Sequence, residues 1–160
     1  MFNTGDIAVY PAHGVGVIES VETKNISGKD QSFLMMRILD NDMTIMIPIN
    51  NIEKVGLREI IDAKKVDEVF EVLQNEGEQI DGKTWNKRFR EYSEKIKVGT
   101  PIDIAEVMRD LMKLKNGKGL SFGERKMLDN VKNLLSQEIA LATNDQIDSV
   151  EKKLTQVFDN

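Results

Sequence analysis

Cysteine is absent from this chain of 160 residues. Disulfides and cysteine-ligated zinc are therefore excluded. A single histidine, His13, stands in a Pro-X-His-Gly turn. A catalytic dyad built on it would need a nucleophile brought from elsewhere, and no cysteine can serve. The plainer reading is an imidazole that satisfies turn backbone. No apolar run approaches the roughly 20 residues that a membrane span requires. Met1-Phe2-Asn3-Thr4-Gly5-Asp6 lacks a signal-peptide pattern, so the expected compartment is the cytoplasm. Metal motifs of the His-Glu-X-X-His or EF-hand kind are missing. Asp40-Asn41-Asp42 has only the first ligands of a calcium loop and reads as a hairpin turn. Asn116-Gly117-Lys118-Gly119 lacks the Walker spacing and follows a helical pattern where a nucleotide cradle follows a strand. No metal and no cofactor are expected, and an enzyme is a poor class for this chain.

What is present is the composition of a soluble globular protein, 40% hydrophobic and 31% charged. The length suits one medium domain or two small ones. The first part reads as β. Candidate strands are Asp6–Tyr10, Val15–Thr23, Gln31–Leu39, Met43–Ile47 and a short one near Ile52–Val55. They are rich in Val, Ile, Phe, Met and Thr, with turn signals between them. Five short strands in this length predict a small SH3-like or Tudor-like barrel, whose closure would hide most strand edges.

From Asp62 the apolar period changes from 2 to 3.6. Asp62 is the expected cap of a helix carrying Val66, Val69, Phe70 and Leu73. Gln74–Gly82 reads as a loop. Thr84 is placed to cap a second helix with Phe89, Tyr92 and Ile96 on one face. Thr100-Pro101 opens a third, with Ile104, Val107, Met108 and Leu111, ending at Asn116-Gly117. Ser121-Phe122-Gly123-Glu124 has the pattern of a capping box. It opens a long helix with Met127, Leu128, Val131, Leu134, Leu135 and Leu141. Asn144 is the expected cap of a last helix with Ile147, Val150, Leu154 and Phe158. The expected class is α+β: an N-terminal SH3/Tudor-like β-barrel over residues 1–58, then an all-α helical bundle over residues 59–160.

The charges are not evenly spread. The chain carries a net charge of −5, yet six cations (Lys83, Lys87, Arg88, Arg90, Lys95 and Lys97) face only Glu91 and Glu94 between Lys83 and Lys97. A second cluster sets Lys113, Lys115, Lys118, Arg125 and Lys126 against Glu124. Both adjoin expected helix starts, where free N–H groups and a partial positive charge suit phosphate. A solvated helix face is the other reading of such runs. Trp85, the one tryptophan, sits inside the first cluster. Its spacing with Phe89, Tyr92 and Ile96 is that of a core stripe. Its place in the first turn, where side chains lean towards the N-terminus, would let the ring overhang the end of the bundle. Both readings stand open on composition and spacing. The acidic total argues against strong autonomous DNA binding. No run of Arg, Asn and Gln suggests a helix reading the major groove.

Taken in order, these blocks resemble the CarD/CdnL family of bacterial RNA-polymerase-binding transcription regulators, over essentially the whole chain. Gly5-Asp6-Ile7-Ala8-Val9-Tyr10-Pro11-Ala12-His13-Gly14-Val15-Gly16 resembles the start of the family's polymerase-interacting domain, a module shared with the transcription-repair coupling factor. Thr84-Trp85-Asn86-Lys87-Arg88-Phe89 resembles the start of its DNA-contacting helix. Ala105–Leu111 and Gly119–Leu128 fit as well. The resemblance implies that the barrel binds the β subunit of RNA polymerase, with contacts near Lys24 and around Thr44, Ile45 and Met46. It implies that Trp85 enters the minor groove of promoter DNA at the upstream edge of the melted bubble and stabilises the open complex. Lys87, Arg88, Arg90 and Arg125 fall on its basic DNA-contacting positions. The implied protein is a nucleoid-associated monomer with no membrane partner and little sequence specificity. Relatives can carry a basic residue at the position of Met46, so here the polymerase contact should lean on strand pairing and apolar contact. An adaptor of the polymerase, whose basic helix meets an acidic partner instead of DNA, is the competing reading.

Overall fold

Four antiparallel strands build the first unit: β1 (Ile7–Tyr10), β2 (Gly14–Ile26), β3 (Lys29–Ile38) and β4 (Thr44–Pro48), in the spatial order β1-β2-β3-β4. The computed structural model describes residues 2–77, 84–117 and 119–159. The chain divides into Met1–Ile60 and Ile61–Asn160. Within the first unit a register shift between Ile18 and Ser20 adds a bulge to β2. A bulge raises local twist, which helps the sheet curl into a Tudor-like half-barrel. Ala8, Ile18, Leu34, Met36, Ile38, Ile47 and Leu57 fill its concave side.

Gly16 shows how closely the strands are packed. A Cβ there would lie 2.7 Å from the carbonyl oxygen of Arg37 and 2.7 Å from the Met36 side chain. Gly16→Ala should therefore cost about 1–3 kcal/mol through overpacking. Urea unfolding checks this, and a stability unchanged from the parent would show that β2 and β3 can part at no cost.

The structure departs from expectation at three places in this unit. First, β2 runs on to Ile26 and β3 begins at Lys29, where the sequence suggests Thr23 and Gln31. The loop between them is only Ser27 (φ 53°) and Gly28 (φ 83°), a two-residue connection with both angles positive. Residues 21–30 are all exposed, so no apolar alternation marks them. Polar cross-strand pairs hold the arm instead: the hydroxyls of Thr23 and Ser32 at 3.0 Å, and the Asn25 amide donating to Asp30 at 3.2 Å. Second, Ile52–Val55 is not a strand. Pro48 is followed by a 3-10 turn, Ile49–Asn51, and a one-turn helix α1 (Ile52–Val55) that ends at Gly56 with φ 76°. Ile49, Ile52 and Val55 recur every third residue, which turns all three onto the core. Third, with that strand missing, the sheet does not close through a fifth member. Arg58 pairs with the edge of β1 instead, through Val9 N to Arg58 O at 2.7 Å and Arg58 N to Val9 O at 3.1 Å. Among the described residues no strand or bridge covers the outer edge of β4.

The second unit is helical: α2 (Ala63–Gln74), α3 (Trp85–Val98), α4 (Pro101–Asn116), α5 (Phe122–Thr143) and α6 (Ile147–Gln156). Helix α4 is central and packs against α2, α3 and α5, while α6 packs on α5. Val69, Val107, Met108, Leu111, Val131 and Leu154 are fully buried there. The expected caps hold at Asp62, Thr84, Thr100 and Ser121, each side chain accepting a hydrogen bond from a backbone N–H three residues on.

Asn144 does not cap the last helix. It ends α5 in the left-handed region (φ 54°), which asparagine tolerates better than most residues. The start of α6 is organised by Asp145, whose carboxylate accepts from Gln146 N at 2.7 Å, Ser149 Oγ at 3.3 Å and Lys153 Nζ at 2.9 Å. These bonds, that to Lys153 first, hold the Asp145 carboxyl below its ordinary pKa. Leu141 is exposed, and the apolar stripe of α5 continues through Ile139 and Ala140 instead. Phe89 is exposed as well, leaving Tyr92 and Ile96 as the buried residues of α3. Gln74 closes α2, so the expected loop begins one residue later. Residues 78–82 of that loop, and Lys83 and Lys118 of the cation clusters, lie outside the described residues.

Candidate nucleic-acid interface

Two helix starts with the same local grammar meet in the second unit. In α3, Thr84 caps and Trp85 is the first helical residue. In α5, Ser121 caps and Phe122 is the first. Thr84 Oγ1 accepts from Lys87 N at 3.3 Å. Ser121 Oγ accepts from Glu124 N at 3.3 Å, while Glu124 Oε1 accepts from Ser121 N at 3.1 Å, completing the capping box. The two first turns are joined by Arg88 Nη2 and Glu124 Oε2 at 3.2 Å.

Trp85 belongs to this junction and not to the hydrophobic core of the helical unit. It is half-buried. Its ring meets Phe89 edge-on, with centroids 5.3 Å apart and planes at 64°. The Arg88 guanidinium carbon lies 5.8 Å from its centroid, within cation–π range. On another side it lies against Gly123, where a Cβ would stand 3.3 Å from Trp85 Cζ2. The open choice between core anchor and overhanging ring thus resolves against the core.

The predicted cations are placed unequally. Lys87, Arg90 and Arg125 are exposed. At 3.6 residues per turn Lys87 and Arg90 project from the outer side of α3, while Arg88 shares the inner side with Tyr92. The Arg88 side chain retains only 15% exposure and that of Glu124 only 8%. Arg88 is therefore engaged inside the protein. Beneath it, Tyr92 is buried, and Arg109 Nε donates to Asp110 Oδ1 at 3.1 Å. Burial above all, with Asp110 next, holds the Tyr92 hydroxyl above its ordinary pKa. Burial likewise raises the Asp110 carboxyl, and Arg109 opposes that shift.

Sequence reasoning passes over Phe122, and it finds Glu124 as the acid of a capping box but not as the partner of Arg88. Phe122 is 69% exposed, with Lys126 Nζ 5.5 Å from its ring centroid. The signal is present, since a capping serine at 121 puts Phe122 first in the helix, with no helical turn before it for the ring to lean on. In the sequence Glu124 is a lone acid among cations, but in the fold its two oxygens serve two partners.

On the first unit, Thr44, Ile45 and Met46 all lie on β4, opposite Arg37, Met36 and Met35 of β3. Met43 and Met46 are exposed beside the open edge. Lys24 lies elsewhere, on the exposed arm of β2 opposite Gln31, beyond the stretch of β3 that β4 covers. Thr44–Met46 thus share one edge and Lys24 does not. Among the described residues no His, Asp and Glu group is arranged to hold a metal ion, and no helix is long and apolar enough to cross a membrane. A cavity of about 300 Å³ between α2, α5 and α6, lined by Val66, Phe70, Ile139 and Val150, contains none of these residues.

Comparison with known proteins covers both units. The family described as CarD-like/TRCF RID domain matches residues 2–61, and that described as CarD, C-terminal domain matches residues 68–155. The protein named "Putative transcription factor YdeB" from Bacillus subtilis (strain 168) is 37% identical over 139 residues, spanning 87% of this chain and 90% of its own length. Among solved structures, CdnLNt from Myxococcus xanthus is 56% identical, covering 38% of this chain and 86% of that one, with a TM-score of 0.34. The 72-residue N-terminal domain of Myxococcus xanthus CarD is 27% identical, covering 37% of this chain and 79% of that one, with a TM-score of 0.32. Matched in order over both units, the chain belongs to the CarD/CdnL family.

Proposed function

We propose that this protein binds the β subunit of RNA polymerase through the outer edge of β4 and rests its helical unit on promoter DNA. Trp85 enters the minor groove at the upstream edge of the bubble and keeps the open complex from closing. The observation that carries this reading is the placement of the one tryptophan. It stands in the first turn of α3, outside the core, with exposed Lys87 nearby and a second basic first turn joined to it by Arg88 and Glu124. A ring held in this way suits insertion at a base step, and the exposed cations suit the flanking phosphates.

Weak DNA contacts suffice for an acidic protein of this kind. Once bound to polymerase, it meets DNA at an effective concentration on the order of millimolar. Affinity then comes from the phosphates and no base-specific readout is needed. Where melting limits initiation the effect is activation, and where polymerase escape limits it the same stabilisation slows transcription.

The test is the salt dependence of DNA association. Replacing Lys87, Arg90 and Arg125 together with alanine should weaken binding to all sequences about equally. It should reduce the log–log salt slope by about 0.9 for each phosphate that is no longer neutralised, or about 2.7 in all. An unchanged slope in the folded variant would mark these cations as a solvated face and favour the adaptor reading.

A further inference from the structure

We propose that Arg88 and Glu124 act as one unit that sets the orientation of the Trp85 ring, so that Arg88 is a positioning residue and not a phosphate ligand. The consequence for DNA rests on the wedge reading above, whereas the positioning itself is a property of the free protein.

Glu124 divides its carboxylate between two tasks. Oε1 accepts from Ser121 N at 3.1 Å and fixes the first turn of α5. Oε2 accepts from Arg88 Nη2 at 3.2 Å and fixes the guanidinium beside the indole. The turn held by Oε1 contains Gly123, the bare position that faces Trp85 Cζ2. Two of the groups bounding the ring, Arg88 and Gly123, thus take their places from one carboxylate. Phe89, one turn along α3, supplies another side.

The electrostatics point the same way. A carboxylate with 8% side-chain exposure is of the wrong sign for a surface that meets phosphate. Its presence there is explained if it organises the surface. Paired with it, Arg88 brings no net local charge, and release of condensed counterions requires a cation that neutralises phosphate. Arg88 also matches its task chemically. A guanidinium presents a flat face to an aromatic ring while its edge meets a carboxylate, whereas an ammonium has no flat face and no fixed fork of donors.

Trp85 is the sole tryptophan beside two tyrosines, so fluorescence excited where indole absorbs and phenol does not reports on this ring alone. The experiment is acrylamide quenching of the full-length protein without DNA or polymerase. Glu124→Gln keeps a capping-box residue at its position and removes the charge. Arg88→Gln removes the other partner from a different helix, so each variant stands in for the other if one fails to fold. Both should raise the quenching constant by at least about twofold as the held orientation loses occupancy. The double variant should match the singles, because the two residues act as a unit. Arg88→Lys should not restore the parent value. Arg88→Gln should leave the salt slope of DNA binding unchanged, where a phosphate ligand would lower it by about 0.9.

Unaltered quenching in folded variants would overturn the proposal, as would that fall in slope. If quenching rises as expected while Trp85→Ala has no effect on open complexes, the positioning unit stands and the wedge reading falls. If both hold, Glu124→Gln should shorten open-complex lifetime while lowering polymerase affinity not at all.

Discussion

Trp85→Ala should shorten the lifetime of open promoter complexes several-fold while polymerase binding persists. The expectation follows from the balance at the upstream edge of a bubble. Unstacking a base step costs a few kcal/mol, which a ring lodged at that step offsets while it is there. Each ~1.4 kcal/mol of that offset corresponds to a tenfold change. A loss of only about 1 kcal/mol would thus speed bubble closure about fivefold. The fold should feel the change much less. A core tryptophan replaced by alanine costs about 3–5 kcal/mol. Trp85 lies outside the core and touches chiefly its own junction, so about 1 kcal/mol is expected, as for a partly packed surface residue. Denaturation and open-complex decay, measured on the same variant, decide the matter. A folding loss near the core value would make Trp85 a structural anchor, and normal decay in a folded variant would remove the wedge.

The parts of this fold that are legible in the sequence are those governed by local chemistry. Asp62, Thr84, Thr100 and Ser121 each cap where a polar oxygen precedes an apolar period, because the cap depends on a few adjacent atoms. Errors arise where two local patterns overlap. Ile52 and Val55 are β-branched and read as strand, yet with Ile49 they recur every third residue and make helical turns between Pro48 and Gly56. Asn144 is a good cap residue and also a good left-handed residue. Only the position of the α5 terminus selects the second role. The exposed arm of β2 and β3 has no apolar alternation to reveal it, since neither of its faces is buried.

The candidate site is legible in composition but not in its internal division of labour. The tryptophan lies within one run of cations and the capping box within another. That Arg88 turns inward while Lys87 and Arg90 turn outward follows from helical phase. That Glu124, 36 residues away, meets Arg88 is a tertiary fact with no local signal. The buried Arg109 and Asp110 are of the same kind. Adjacent opposite charges on a helix ordinarily look like a solvated pair, and only the packing of α4 at the centre of the unit buries them.

Met46→Pro should weaken polymerase binding far more than Met46→Ala, with the fold retained in both. The argument is the alternation of an antiparallel ladder. Ile38 N donates to Met43 O at 2.8 Å, which makes 38 and 43 a hydrogen-bonded pair. By the register, the next such pairs are Met36 with Ile45 and Leu34 with Ile47. Thr44 and Met46 therefore direct their backbone N–H and C=O groups away from β3, along the open edge. Pro48 is next in that series and has no N–H to offer, which limits the edge to a short stretch. A proline at 46 deletes an outward donor and removes no bond to β3, as suits proline on an edge strand. A partner strand would then keep an unsatisfied carbonyl, at a cost of about 1–3 kcal/mol, or about 5- to 150-fold in affinity. Alanine removes only an exposed side chain, for which about 0.5 kcal/mol or less is expected. Ile45→Pro serves as the contrast, since it deletes an inward bond to Met36 and should destabilise the sheet. Titration of full-length variants against the β subunit, with urea unfolding alongside, gives the answer. Normal binding by folded Met46→Pro would show that the edge is not used. Equal losses in the alanine and proline variants would assign the contact to the methionine side chain.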